Sequence, residues 1–307
     1  MTLDEFVAKG WSDHATDAEG VFRRFPEGLA LVTERRHMPP FAGLVVHVAG
    51  EHLGRWDEGL ALLGSLESLP AWDPATPEGK SVLRSESVLH LCAGRTAEAA
   101  RCEAAGRTGG GLPAASDRVR VLAIVAAALT GQRRLEEASR HFEEALALAE
   151  YGPGKDDPAA RALAVTSNNL AVELETRPTR TSAERDLMLR AAKAGRRWWE
   201  VAGGWTEVER AEYRLAMSHL KAGEAAAALA AARRCREIVE KNGDDPFEAF
   251  FAHEALALAH HALGDAAAAR REGDAAAALL PKIEEDSRAY CEGESKKLGA
   301  TLAGAAR

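Results

Sequence analysis

The feature that most constrains this chain is a short segment that recurs through much of its 307 residues. Each copy follows one helical pattern, passes through a glycine and opens a second helical pattern that carries an early alanine or glycine. Five copies begin at Leu53, Ala93, Gly131, Ala222 and Leu263, and a sixth, near residues 178–183, lacks the glycine. Repetition at such a period predicts stacked helix pairs and argues against a single globular bundle.

The glycine and the small residue that follows it have different roles. Glycine adopts the left-handed conformation that ends a helix at little steric cost. The small residue lies where the two helices of a pair come closest, and a larger side chain there would push them apart. Successive small residues are 39 to 45 positions apart, which is enough for two helices and their connections. In chain order they are Gly59, Ala99, Ala138, Ala183, Ala228 and Ala269.

These spacings predict an all-α fold, a right-handed α-solenoid of about six to seven antiparallel helix pairs. Residues 1–37 are predicted as a degenerate N-terminal hairpin, 38–280 as the repeat array, and 281–307 as a C-terminal capping helix. Capping patterns mark several helix starts. They are Thr2 with Glu5, Thr76-Pro77, Asp157-Pro158, Thr206 with Glu209, and Asp245-Pro246.

The third unit carries the repeat pattern most fully, with Val125-Ala126 in its first helix and Ala138, Phe142 and Ala145 in its second. In this arrangement the chain resembles the tetratricopeptide repeat. Asn168-Asn169-Leu170-Ala171 looks like the long-helix variant of kinesin-light-chain-type repeats, and similar long repeats occur in bacterial peptide sensors. Because the period exceeds the 34 residues of the standard repeat, a HEAT or armadillo type of solenoid is the alternative fold.

The resemblance implies a concave groove, lined by the first helix of each pair, that binds a protein or peptide. Four cations in this groove would form a basic stripe that attracts an acidic partner. Tyr213 and Phe41 would supply anchors, and Asn168 would hydrogen-bond to a peptide backbone. The predicted binding residues are Phe41, His52, Arg84, Arg120, Asn168, Arg210, Tyr213, Lys221 and His261.

Several kinds of function are disfavoured by the sequence. A net charge of −8 argues against nucleic acid, and no apolar run is long enough to predict a membrane helix. The four cysteines have no metal-site spacing, so they are predicted to be reduced thiols in a cytoplasmic protein, and the N-terminus predicts no secretion signal.

No catalytic, cofactor or metal motif is complete. Residues 76–81 end like a phosphate-binding loop, but Pro74 occupies the position of its first glycine, and the glycine run 109–111 is predicted as an inter-repeat loop. His253-Glu254 lacks the second histidine of a metalloprotease helix. We therefore predict a protein with no cofactor, no metal and no enzymatic activity.

Three functions stay open at this stage. The first is a scaffold or adaptor for a protein partner, with self-association also plausible. The second is a receptor for a small signalling peptide or ligand that switches conformation. The third is an α-helical enzyme, which convergent titratable residues with shifted pKa values would favour.

Overall fold

The computed structural model describes residues 1–107 and 114–304, and within these residues it contains helices and no strands. The loop predicted at residues 109–111 lies outside this part. A π-helix spans Val46–His52, and 3-10 turns lie at Arg35–His37 and Leu280–Lys282. The α-helices are α1 (Leu3–Arg23), α2 (Phe25–Ala30), α3 (Met38–Val45), α4 (Trp56–Glu67), α5 (Pro77–Cys92), α6 (Thr96–Gly106), α7 (Ala114–Gly131), α8 (Leu135–Leu148), α9 (Pro158–Thr176), α10 (Ser182–Ala202), α11 (Trp205–Lys221), α12 (Ala225–Lys241), α13 (Pro246–Ala262), α14 (Ala266–Leu279) and α15 (Glu285–Gly304).

Successive helices pack against each other in pairs, as expected for a helical repeat. The chain forms two compact units, Met1–Thr166 and Ser167–Arg307, whose boundary lies inside α9. In the first unit α5 packs on α6 and α7 on α8, while α5 also touches α7. In the second, α11 packs on α12 and α13 on α14, while α11 also touches α13. The all-α paired architecture is therefore confirmed, whereas its handedness and its family stay predictions.

Glycines end the first helix of a pair in four of the repeats, as predicted. The N–H of the residue that follows the glycine reaches back to a carbonyl near the helix end, as from Arg95 to His90 at 2.8 Å. The same bond runs from Asp265 to His260 at 3.0 Å. The left-handed glycines are Gly54, Gly94, Gly223 and Gly264, with φ between 65° and 80°.

In the third unit the prediction that Gly131 forms this turn is wrong. The left-handed residue is Arg133, with φ of 60°, and the N–H of Arg134 bonds the Leu129 carbonyl at 2.8 Å. Gly131 instead closes α7, where an added Cβ would lie 2.6 Å from the carbonyl oxygen of Glu51. The lack of a side chain at Gly131 therefore permits close packing of α7 on the π-helix.

The small residues predicted at the helix contacts are buried in five of the six units. At Gly59 an added Cβ would lie 3.3 Å from the Cβ of Ala49, on the π-helix of the same pair, and 2.9 Å from the Leu89 side chain on α5, so a larger residue would press on both neighbours. The prediction for Ala183 is wrong, because it is exposed in the first turn of the long helix α10. More than three turns further along α10, Gly195 lies at the helix contact instead, since a Cβ there would be 3.4 Å from the Asn168 backbone nitrogen. The five buried residues are Gly59, Ala99, Ala138, Ala228 and Ala269.

Most of the predicted helix caps are present. The hydroxyl groups of Thr2 and Thr76 and the Asp245 carboxylate each accept a backbone N–H from the first turn of their helix. The Thr206–Glu209 cap is wrong, because the N-cap of α11 is Gly204, two residues before Thr206, and the Gly204 N–H bonds Glu207 at 2.8 Å.

None of the helices in the described ranges is both long enough and apolar enough to cross a bilayer.

Arg133 gives a test of the turn geometry. Replacing it with glycine removes the strain of a left-handed side chain, so we expect Arg133→Gly to stabilise the protein by about 1 kcal/mol. The same change at Arg140, an exposed position inside α8, should cost about 1 kcal/mol because glycine is a poor helix former. Urea unfolding followed by circular dichroism measures both, and equal effects at the two positions would contradict the assignment of the turn.

Candidate functional site

Two of the predicted cations, Arg84 on α5 and Arg120 on α7, come together in the unit Met1–Thr166. An Arg84 guanidinium nitrogen lies 3.3 Å from an Asp117 carboxylate oxygen, and an Arg120 nitrogen lies 3.6 Å from the same oxygen. The two arginine side chains are only 15% and 23% exposed. Two largely buried positive charges therefore converge on one carboxylate between two neighbouring helices.

The electrostatics of Arg120 reflect this arrangement. Burial, together with repulsion from Arg84, lowers the pKa of Arg120 to about 10, while the charges of Asp117 and Asp157 act in the opposite direction. The Asp157 carboxylate also accepts bonds from the Ser116 hydroxyl and from the Ala159 N–H at the start of α9. Asp117 is therefore the carboxylate on which both guanidinium groups converge, and burial is the largest cost to the charge of Arg120.

A shallow depression opens beside Arg84, between α5, α6 and α7. Lys80, Arg84 and Arg107 contribute cationic side chains to its lining, and Asp117 and Glu103 contribute carboxylates. Glu103 accepts a bond from Arg118 at 2.7 Å and also lies 3.6 Å from Arg107, so it is paired both outside and inside the depression. This place suits a single anionic group such as a carboxylate.

The other two predicted residues of this unit behave differently from Arg84 and Arg120. Phe41 has no exposed surface and packs edge-to-face on Phe25, with ring centroids 5.7 Å apart. The prediction that Phe41 anchors a partner is therefore wrong, because the ring belongs to the core. His52 is exposed at the end of the π-helix, and its Nε2 atom lies 3.2 Å from Nε2 of His47. Burial and the neighbouring imidazoles of His47 and His14 lower the pKa of His52.

In the unit Ser167–Arg307, two of the predicted groove residues of α11, Arg210 and Tyr213, hydrogen-bond to acidic residues of α13. Arg210 donates to Glu248, with its Nε atom 3.0 Å from Oε1. The Tyr213 hydroxyl donates to Glu254 at 2.8 Å, and its ring packs on Phe251. Arg210 therefore does not contribute the uncompensated positive charge that the basic stripe required.

The three remaining predicted residues are dispersed over this second unit. Asn168 is half-buried on α9, Lys221 is exposed at the end of α11, and His261 is partly exposed in the last turn of α13. Of the four cations predicted for the basic stripe, Arg84 and Arg120 are therefore the two that meet within one unit.

Buried acids form a network that the sequence analysis missed. Glu209, fully buried on α11, accepts a bond from the Cys235 thiol at 2.8 Å and lies beside Glu248. Burial raises the pKa of Glu209 to about 8 and that of Glu86, on α5, to about 7. The sequence analysis missed the burial of Glu209 because the predicted capping pair, Thr206 with Glu209, placed this residue at a helix end rather than on the buried face of α11.

In comparisons with known proteins, no family model and no curated sequence matches this chain. Its function therefore has to be inferred from its own geometry.

The raised carboxyl pKa values predict a pH dependence of stability. Folded Glu209 holds its proton up to about pH 8, whereas an unfolded glutamate releases it near 4.5. The folded state then binds more protons across this window, so stability is full below pH 4.5 and is lost as the pH rises through 8. Glu209→Gln keeps the shape without the charge, so we expect it to stabilise the protein by about 1 kcal/mol or more at pH 8.5 and by little at pH 5.

Urea unfolding at both pH values measures the difference between wild type and Glu209→Gln. Glu240→Gln, at an exposed position of α12, is the matched control and should leave the pH profile unchanged. An equal effect of Glu209→Gln at pH 5 and pH 8.5 would show that the carboxyl is ionised throughout.

Proposed function

We propose that this chain is a non-enzymatic interaction protein that binds a carboxylate-bearing segment of a protein or peptide partner at Arg84 and Arg120. One observation supports the proposal most: two largely buried guanidinium groups share the single carboxylate of Asp117. Guanidinium pairs with carboxylates through charge-assisted bidentate hydrogen bonds. A partner carboxylate would give this pair of guanidinium groups a further acceptor beside Asp117.

The position of the pair also favours this function. Arg84 and Arg120 lie on α5 and α7, which are the first helices of adjacent pairs and pack against each other. The tetratricopeptide resemblance places the binding groove along such first helices. We propose that the array is a right-handed solenoid of this type in a cytoplasmic protein, and that a partner segment crosses α5 and α7.

The buried acids support a binding protein over an enzyme. A general acid or base must come within hydrogen-bond reach of its substrate. Glu209 has no exposed surface, and Glu254 is buried with its carboxylate engaged by Tyr213. Their raised pKa values are explained by burial inside packed helices, where a substrate has no access.

The first test combines stability with binding. Because the folded protein lowers the pKa of Arg120 from 12.5 to about 10, the charged form costs stability at every pH below 10. We expect Arg120→Gln to raise stability by about 1 kcal/mol while it weakens partner binding. If the more stable variant binds the partner less well, unfolding is excluded as the cause. Urea unfolding at pH 7 measures the change in stability.

For the second effect, immobilised wild type and an Arg84→Gln/Arg120→Gln variant are compared for capture of proteins from a lysate of the source organism, by quantitative mass spectrometry. Arg101→Gln, on an exposed face of α6, is the matched charge control. We expect a partner captured by wild type and by Arg101→Gln, with at least about tenfold less captured by the double variant.

Peptides from the captured partner then locate the contact. Their affinity, measured by fluorescence anisotropy, should fall when aspartate and glutamate are replaced by asparagine and glutamine. Equal capture by all three proteins, or binding that does not depend on the partner's acids, would contradict the proposal. Capture of nothing by wild type would favour the receptor for a small ligand.

A further inference from the structure

Three histidine side chains meet in the first unit, although they are far apart in the sequence. His14 lies on α1, and His47 and His52 lie on the π-helix. One nitrogen atom of each ring lies within 4.8 Å of the others. The ring centroids are 4.7 Å apart for His14–His47, 5.1 Å for His14–His52 and 4.7 Å for His47–His52.

The π-helix is what brings His47 and His52 together. In an α-helix, residues five positions apart point about 140° away from each other. A π-helix has a wider turn of roughly 4.4 residues, which reduces this angle to about 50°. The two imidazoles therefore share a face, and Nε2 of His47 lies 3.2 Å from Nε2 of His52.

Neighbouring groups orient two of the rings. The Nδ1 atom of His14 lies 2.6 Å from the Trp11 carbonyl oxygen, and Nδ1 of His47 lies 2.9 Å from the Glu51 carboxylate. Since both oxygens only accept hydrogen bonds, Nδ1 carries the proton of each neutral ring, which leaves Nε2 with its lone pair. Metal-binding histidines are held in the same way, by a carbonyl or carboxylate on the ring nitrogen that does not bind the metal.

We propose that His14, His47 and His52 bind a divalent transition-metal ion, with Zn²⁺ as the first choice, through three imidazole nitrogens. Zinc takes nitrogen ligands at about 2.0–2.1 Å in tetrahedral geometry, which separates the nitrogens by about 3.3 Å. The His47–His52 distance of 3.2 Å already matches this separation. The same geometry places ring centroids about 5.2 Å apart, so His14 needs only a small adjustment.

The site keeps one coordination position for a further ligand. Three protein ligands leave the fourth tetrahedral position of zinc open to water or an anion. His52 is exposed beside this cluster, while the Trp11 ring covers His47 with centroids 4.8 Å apart. Because His14 is on α1 and the other ligands are on the π-helix, the bound ion would also link these two elements.

The test uses the full chain without an affinity tag, stripped of metal with a chelator and titrated with ZnCl₂ in a calorimeter. We expect one Zn²⁺ per chain, and we expect His14→Gln and His52→Gln each to weaken binding by about 100-fold or more. Glu51→Gln, which alters only the group that orients His47, should weaken binding by about tenfold. His37→Gln, in the same unit but outside the cluster, is the matched control and should bind as wild type does.

Two further measurements separate this site from adventitious binding. Co²⁺ in place of Zn²⁺ should give the intense visible absorption of tetrahedral coordination in wild type, and His52→Gln should lose it. Zn²⁺ should raise the thermal midpoint of wild type and not that of His52→Gln. The proposal is overturned if wild type binds no Zn²⁺, or if His14→Gln and His52→Gln bind it within about threefold of wild type.

Discussion

The fold depends on the close approach of paired helices at a position that accepts only a very small side chain. Gly59, Ala99 and Ala138 occupy it in the first unit, and Ala228 and Ala269 in the second. At Gly59 the space beyond the backbone is already filled, by Ala49 of the paired π-helix and by Leu89 of the next pair. In most pairs a left-handed turn precedes the second helix and sets the angle at which the helices meet, so turn and contact act together. Once both are repeated, stacking of the next pair follows from the exposed apolar face that each pair leaves.

Close packing of small residues also determines where polar side chains end up. When neighbouring first helices touch, as α5 does α7 and α11 does α13, the long side chains between them lose contact with water. Burial of a charge is costly unless it is paired, and the two units meet this cost differently. In the second unit Arg214 binds Glu175, Arg210 binds Glu248, and Glu209 is protonated up to about pH 8. In the first, Arg84 and Arg120 converge on the carboxylate of Asp117, and burial raises the pKa of Glu86 to about 7.

Much of the architecture could be predicted from the sequence because small residues and glycines recur at a fixed period. The errors have local physical causes. Gly131 was predicted to form a left-handed turn, but glycine is also required where another backbone segment packs closely. Gly131 lies at such a contact, and Arg133 is the left-handed residue of the turn. In the fourth unit no glycine marks the turn, so Gly195 was overlooked as the contact. Side-chain contacts were harder to predict than helices, because each residue rotates the helix face by about 100° and a small error in register changes which face a side chain takes. Arg84 and Arg120 do meet, as predicted. Phe41, however, lies in the core, and Arg210 is bound by Glu248.

The π-helix shows why the histidine cluster escaped a search by spacing. In most repeats the N–H after the turn reaches back five residues, as from Arg95 to His90, but Arg55 reaches back six, to Ala49 at 2.7 Å. The first repeat therefore contains one extra residue, and the wider helix absorbs it so that the turn at Gly54 still matches the others. A π-helical turn, which accommodates one extra residue within a helix, is frequent at functional sites. The consequence here is specific: if residues 46–52 were α-helical instead, His47 and His52 would diverge by about 140°, and the imidazoles that we propose as metal ligands would not share a face.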